Sequence, residues 1–371
     1  MSVDSTDPAL LEEGARNLLV GCGALASGDS LLILHEDPVH GWYDPGLPEA
    51  IAAVARTLGA RVRLQAVGPP RAEPGRDDEL DAAIAAHSHA LFLARIGDQD
   101  RFEARAGETV TIMSYARTHA ALASPFGRAP HAALQAVKNA VDALQQGADE
   151  IEITCPLGSR LTGRPTPLPP EAPADVSVRR FPLGVPQPVL AAGFSGSVVL
   201  ARFLTPTGSR PYEPDSLPLA EPVRAHIENG RILDFDGPAD SVASVRAHHR
   251  HVGGLFAIDP WAVHSFHAGI HPACAYPFPA ADNPDRWSNS VFCNPRFLHF
   301  HTCGAYPPAE ICWMLLDPTV RLDGIPLWEH GRLRVANFAE TQTAVAASPT
   351  LPALFAAPAD SVGLAVSAPP A

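Results

Sequence analysis

From residue 7 to residue 154, short apolar runs alternate with amphipathic stretches of helical period, and few folds accommodate that rhythm. Asp7 to Gly21 reads as a helix and Ser30 to His35 (SLLILH) as a buried strand; Pro48 to Leu58 is a helix stopped by Gly59, and Arg61 to Val67 a second strand. The pattern recurs with a helix at Glu79 to Ala86, strands at His89 to Ala94 and Thr109 to Ser114, a helix from Pro130 to Gln146, and a strand at Glu150 to Thr154. Strands separated by helices of this length form a parallel sheet with helices on its faces, so residues 1–162 are expected to be an α/β domain. No glycine-rich phosphate cradle follows any of these strands, and a nucleotide site is not supported.

Residues 163–187 contain GRPTPLPPEAPADV, too rich in proline for a helix or a central strand, and are expected to be a linker. The pattern then changes. Ser197 to Phe203 and Val223 to Ile227 read as strands, and Glu228-Asn229-Gly230 turns the chain into a returning strand, Arg231 to Phe235. Asp240 to His251 reads as a helix, and a last one is expected near Phe338 to Ala346. The expected architecture is therefore a parallel α/β domain, a mostly β (α+β) domain over residues 188–355, and a Pro/Ala tail over 356–371.

The formal charge of −13 argues against nucleic-acid and anionic-membrane partners, which need a basic footprint. No basic leader with an apolar core opens the chain and no apolar run is long enough to span a bilayer, so a cytoplasmic address is expected. Lys138 is the only lysine, which leaves one place for a Schiff base. The six cysteines contain no CxxC pair and read as reduced thiols.

Chemistry concentrates between His264 and Gly324. This segment holds His264, His267, His271, His299, His301, Cys303, Tyr306, Glu310 and Cys312, all residue types that bind or serve transition metals. In a strand, His299 and His301 share a face about 6.6 Å apart, and Cys303 continues that face. His267 and His271 would lie roughly 13 Å apart along a strand, so at most one of them joins the same ion. His248, His249 and His251 fall at a helix end, where imidazoles bond the last carbonyls; His35 and His40 follow the first strand. Trp287, Phe292, Phe297 and Trp313 are available to wall a pocket or to fill a core.

Several segments resemble the metallo-aminopeptidases of the thermophilic, leucyl type and their ring-cleaving relative, the 2,5-dihydroxypyridine 5,6-dioxygenase branch. LLVGCGALASGDSLLIL is similar to the superfamily's opening helix, turn and strand, and ADEIEITCPLGSRLTG to its strand ending in T-x-x-x-G-[ST]-x-L-T. ENGRILDFDG resembles its hairpin, HAGIHP its [EH]-x-G-I-G-x-N-P turn, and DPTVRLDG its closing D-P-T-V-x-L-D-G. The resemblance implies the two-domain scaffold, a metal site and a symmetric homodimer or higher homo-oligomer. Where the peptidases carry a glutamate ligand before G-I-G, this chain has His267, as the dioxygenase branch does. The peptidases' earlier glutamate has no counterpart, since Val176 to Tyr212 contains no acidic residue. His299 with Tyr306 is similar to the peptidases' H-x-x-x-x-x-x-Y element, with His301 an equal alternative. The superfamily's late H-x-D ligand pair aligns with Cys312-Trp313-Met314.

The expectation is a relocated mononuclear site on His267, His299 and His301, completed by Glu310, Cys303 or water, with Tyr306, His264 and His271 as proton-moving groups. Fe(II) is the favoured ion and Zn(II) or Mn(II) the alternatives. Oxygen-dependent cleavage of a small aromatic or heterocyclic ring is the favoured reaction, a metal-dependent hydrolase or aminopeptidase the second reading, and a non-catalytic protein that lost its metal the third.

Overall fold

A computed structural model describes residues 6–72, 77–99, 101, 108–167, 177–207, 210–303 and 310–364. The first domain contains α1 (Pro8–Arg16), β1 (Ser30–Glu36), α2 (Leu47–Thr57), β2 (Arg61–Val67), α3 (Asp78–Ala85), β3 (His89–Leu93), α4 (Ile96–Gln99), β4 (Val110–Ser114), α5 (His119–Ala123) and α6 (Pro125–Arg128). α7 (His131–Gly147) leads into the second domain. β5 (Ile151–Thr154) and β6 (Arg160–Gly163) lie there, β7 (Arg179–Phe181) returns to the first domain, and β8 (Val189–Leu190), β9 (Phe194–Thr205), β10 (Leu217–Glu228) and β11 (Arg231–Asp236) of the second domain precede α8 (Ala239–Phe256). The chain ends with β12 (Val263–Ala268), α9 (Pro284–Val291), β13 (Phe297–Thr302), β14 (Ile311–Leu316), β15 (Thr319–Leu322), β16 (Ile325–Glu329), β17 (Arg332–Leu333), α10 (Ala339–Ala346) and α11 (Leu351–Ala356).

The expected two-domain architecture is present. The first sheet is parallel, in the order β2-β1-β3-β4-β7, and its central strands β1 and β3 are covered on both faces by apolar side chains. The second sheet is antiparallel and runs β17-β16-β15-β5-β6-β9-β14-β13-β12-β8, with the β10–β11 hairpin leaving from β9. Asp7 caps α1 through a bond from Ala9 N, and Gly59, at φ 87°, ends the segment after α2, as the caps in the sequence predict.

The domain boundary differs from the expected one. β5 and β6, read as the end of the first domain, pair antiparallel with β15 and β9 in the second sheet. Within the expected linker, β7 returns to the first sheet and pairs parallel with β4. A four-residue strand is apolar enough for either sheet, so partner choice here is a tertiary decision. α7 likewise turns Leu134, Val137 and Val141 into the second core.

Several contacts among the described residues bind the domains together. Arg117, just beyond β4, donates to Asn289 O at 2.8 Å and Ser290 Oγ at 2.9 Å in α9, while its guanidinium sits 4.7 Å from the Trp42 ring. Gly184 passes so close to Cys293 that a Cβ would fall on its sulfur. Among the described residues, no helix is long and apolar enough to cross a membrane.

Candidate metal centre

β12, β13 and β14 pair antiparallel in consecutive order, with His267 opposite His299, His299 opposite Met314 and His301 opposite Cys312. Pleating divides their residues between two faces. Phe266, Leu298, Phe300, Trp313 and Leu315 turn into the main core, while His267, Phe297, His299, His301, Cys312 and Met314 share the other face, partly roofed by Trp287 of α9. Every residue of β13 is buried, because both faces of the strand are covered.

On that face three imidazoles converge. His267 Nε2 lies 2.6 Å from His299 Nε2 and 3.2 Å from His301 Nε2, and the three side chains offer ligand atoms all within 4.8 Å of one another. The outward ring atoms hold the rings in place. His267 Nδ1 faces the Pro186 carbonyl at 3.0 Å, which only accepts, so Nδ1 carries the proton and Nε2 the lone pair. His301 Nδ1 donates to Glu310 Oε2 at 2.6 Å, which fixes the orientation of the ring.

Burial, reinforced by neighbouring positive charge, holds His267 and His299 well below the ordinary imidazole range, so both rings are neutral. Nitrogens 2.6 Å and 3.2 Å apart repel unless a proton or a metal ion lies between them. The set can hold a first-row metal ion: three converging nitrogen donors, one tautomer pre-set by a carbonyl and a carboxylate behind a second ring. His299 Nδ1 has no hydrogen-bond partner among the described residues and packs edge-on to Phe292 at 5.9 Å.

Other expected participants stand elsewhere. Glu310, expected as a ligand, lies behind the His301 ring and touches its Nδ1, not the point where the Nε2 atoms meet. Its carboxyl is raised by burial, but attraction to His301 and the bond from it outweigh that and hold it below the ordinary carboxylate range. Cys303 does not continue the His299–His301 face, because the strand ends at Thr302 and Cys303 takes φ 63°. Its sulfur points to His249 O at 3.6 Å within the main core.

His271 lies against the Phe126 ring at 4.7 Å, accepts from Ala273 N, and is pushed down to about 3 by burial, so it is a neutral packing residue at the domain contact. His264 falls in a register shift of β12 and contacts Ser265 Oγ. Tyr306 lies outside the described residues. Cys312 occupies the histidine face, yet burial pushes its thiol up and keeps it protonated.

Among the aromatic candidates, Phe292 walls His299, whereas Trp313 lies on the opposite face and donates to His249 Nε2. His249 Nδ1 bonds Pro260 O and His251 Nε2 bonds Glu213 O, so both serve carbonyls, though not those ending α8. Asp317 pairs with Arg296, and Asp323 accepts from Asp149 N and Glu150 N; the DPTVRLDG aspartates hold the chain. Lys138 pairs with Asp142 within α7.

Sequence reasoning missed the Pro186 carbonyl, which lay in the expected linker; no sequence signal marks it.

The structure is similar to the solved 2,5-dihydroxypyridine dioxygenase from Pseudomonas putida KT2440, with a TM-score of 0.60 and 15% identity over 90% of this chain and 99% of the other. It is also similar to wild-type AmpT from Thermus thermophilus, with a TM-score of 0.48 and 13% identity over 88% of this chain and 98% of that one. No protein-family model and no curated protein matches the sequence. At such identities the likeness to the dioxygenase is one of fold, and it is the fold that the sequence motifs implied.

Proposed function

We propose that this protein is a mononuclear metal-dependent enzyme acting on a small aromatic or heterocyclic molecule, with Fe(II)- and O2-dependent ring cleavage as its reaction. The observation that carries the reading is the convergence of His267, His299 and His301, with the lone pair pre-set on His267 Nε2 and a carboxylate behind the His301 ring. The fold shared with a solved dioxygenase supports the oxidative branch, and the absence of a carboxylate from the three converging side chains weighs against a two-metal hydrolase.

A bound ferrous ion would supply Lewis acidity and the redox chemistry that dioxygen requires. The chain's own residues prepare the site. Pro186 O holds the His267 ring in one tautomer, and Glu310 orients the His301 ring while raising its basicity. Phe292 stands edge-on to His299 and, through a second edge contact of 5.1 Å, to Tyr115, forming an apolar wall that excludes water and suits a planar ring. Cys312 and Met314 fill the cross-strand positions beside His301 and His299, so in this proposal the ligands have moved one strand along the sheet.

The test is metal content by elemental mass spectrometry on anaerobically purified protein, comparing wild type with His267→Ala, His299→Ala and His301→Ala. Near-stoichiometric iron in the wild type, lost in each variant, is the expected result. Zinc in its place transfers the reading to hydrolysis. Absence of iron, zinc, manganese and copper after anaerobic reconstitution refutes it. A homo-oligomer is proposed alongside, to be checked by light scattering.

A further inference from the structure

α9 ends beside the metal centre, and a residue of the other domain finishes it. The last carbonyls of a helix lack the partner that a continuing helix would supply. Arg117 fills that place across the domain contact, donating from Nη1 to Asn289 O at 2.8 Å and Ser290 Oγ at 2.9 Å, and a cation at a helix C-terminus is favoured by the macrodipole as well. The Ser290 hydroxyl passes the bond on to Arg286 O, one turn back. Phe292 is the next residue after α9, and its ring meets Tyr115 at 5.1 Å and His299 at 5.9 Å. Beyond it, Asn294 Nδ2 bonds Cys274 O and Ala359 O, and Gly184 closes on Cys293. The backbone that carries Phe292 is thus held on both sides.

Arg117 is itself fixed within the first domain. It is 3% exposed, and its guanidinium carbon lies 4.7 Å from the Trp42 ring centre, 5.9 Å from that of Tyr43 and 5.7 Å from that of Tyr115. Asp98 Oδ2 stands 3.9 Å from Nη2, and Asp98 Oδ1 accepts from the Tyr115 hydroxyl at 2.7 Å. Nε and Nη2 make no hydrogen bond among the described residues, so ring faces and the carboxylate hold the cation while Nη1 bonds across the interface. A planar guanidinium caged in this way cannot follow α9; the helix end must come to it. Tyr115 touches both Arg117 and Phe292, so the cage and the wall of the metal centre share a ring.

We propose that Arg117 is a positioning residue of the metal centre: from the first domain it fixes the last turn of α9 and so holds Phe292 against His299 as the wall on which a planar substrate ring rests. This rests on the metal-centre reading above. It makes affinity for the ring, but not for the metal, depend on a contact between the two domains.

The experiment uses the full-length protein loaded with Co(II), with metal content checked by elemental mass spectrometry. Two probes are titrated against the cobalt visible spectrum: 4-nitrocatechol, a planar ring that chelates the metal and needs the wall, and azide, a small anion that binds the metal without it. Phe292→Ala and Arg117→Ala are each expected to weaken 4-nitrocatechol about tenfold, the size of one aromatic contact, and azide by less than about threefold. The double variant should bind the ring within about twofold of the weaker single one, because both changes remove the same wall. Arg117→Lys should recover part of the loss, since an ammonium still reaches one of the two acceptors; should Arg117→Ala not fold, the lysine variant is the test, with ring affinity expected between wild type and Phe292→Ala. Wild-type ring affinity in Phe292→Ala or in the Arg117 variant tested, equal losses of azide and 4-nitrocatechol, additive losses in the double variant, or loss of cobalt from the Arg117 variants overturns the proposal. So does wild type that holds about one cobalt per chain and binds no 4-nitrocatechol, which leaves the metal centre intact. Wild type that takes up no cobalt overturns the metal-centre reading and the proposal together.

Discussion

Replacing Glu310 by glutamine separates a metal centre from a mere polar network more cleanly than removing a ligand does. Glu310 is fully buried, receives His301 Nδ1–H at 2.6 Å, and leaves Oε1 without a bond among the described residues. Glutamine keeps the shape, and its carbonyl can accept the same proton, so the ring retains its orientation. What disappears is the charge that strengthens this bond and makes the far nitrogen a better donor. Substitutions behind a metal ligand typically weaken metal affinity 10- to 100-fold, or about 1.4–2.7 kcal/mol. That matches the difference between a charged and a neutral hydrogen bond, on the order of 1–1.5 kcal/mol, once the loss of ligand basicity is added. The assay is competition for Zn(II) or Co(II) against a chromophoric chelator at fixed pH, paired with thermal unfolding of the metal-free protein. Metal-free stability should change little, since the variant also removes a buried charge. Affinity within twofold of wild type would refute the assignment of His301 as a ligand oriented by Glu310; so would a drop in stability of the same size with and without metal.

Two further predictions concern packing and pH. Gly184→Ala should destabilise the protein by about 1–3 kcal/mol, because the new methyl group falls on Cys293 Sγ and 2.5 Å from its Cβ, and Cys293→Ala in the same chain should relieve only part of that loss, since the Cβ remains; additive single effects in urea titrations would contradict the contact. Burial lowers His249 to about 4 and His271 to about 3, so the unfolded chain takes up protons first as pH falls below about 6.5. The stability linked to these rings is complete above that pH and is lost toward pH 4 and below, on the order of 3–5 kcal/mol per ring. A metal-free protein with the same unfolding midpoint in denaturant at pH 7.5 and pH 5 would exclude this linkage.

The alternation of strand and helix up to Ser114 was sufficient to announce a parallel sheet, because its periods and caps are local properties of the chain. His299 and His301 were legible as a pair for the same reason, since alternation along one strand puts them on one face whatever that strand pairs with. That His267 would meet them was suggested by resemblance, and only the register of β12 against β13 placed it opposite His299. The misplacements have one physical source. Cys303 left the expected face because the strand ended one residue earlier in a left-handed turn, and Glu310 stopped behind His301 because the chain re-enters the sheet there as β14. The sequence by itself determined the secondary-structure periods, the absence of a basic footprint and the donors available for a metal. Tertiary structure alone decided which sheet β5 and β7 joined and which backbone carbonyl holds His267, because those pairings are made across long sequence separations by surfaces that exist only once the strands are registered.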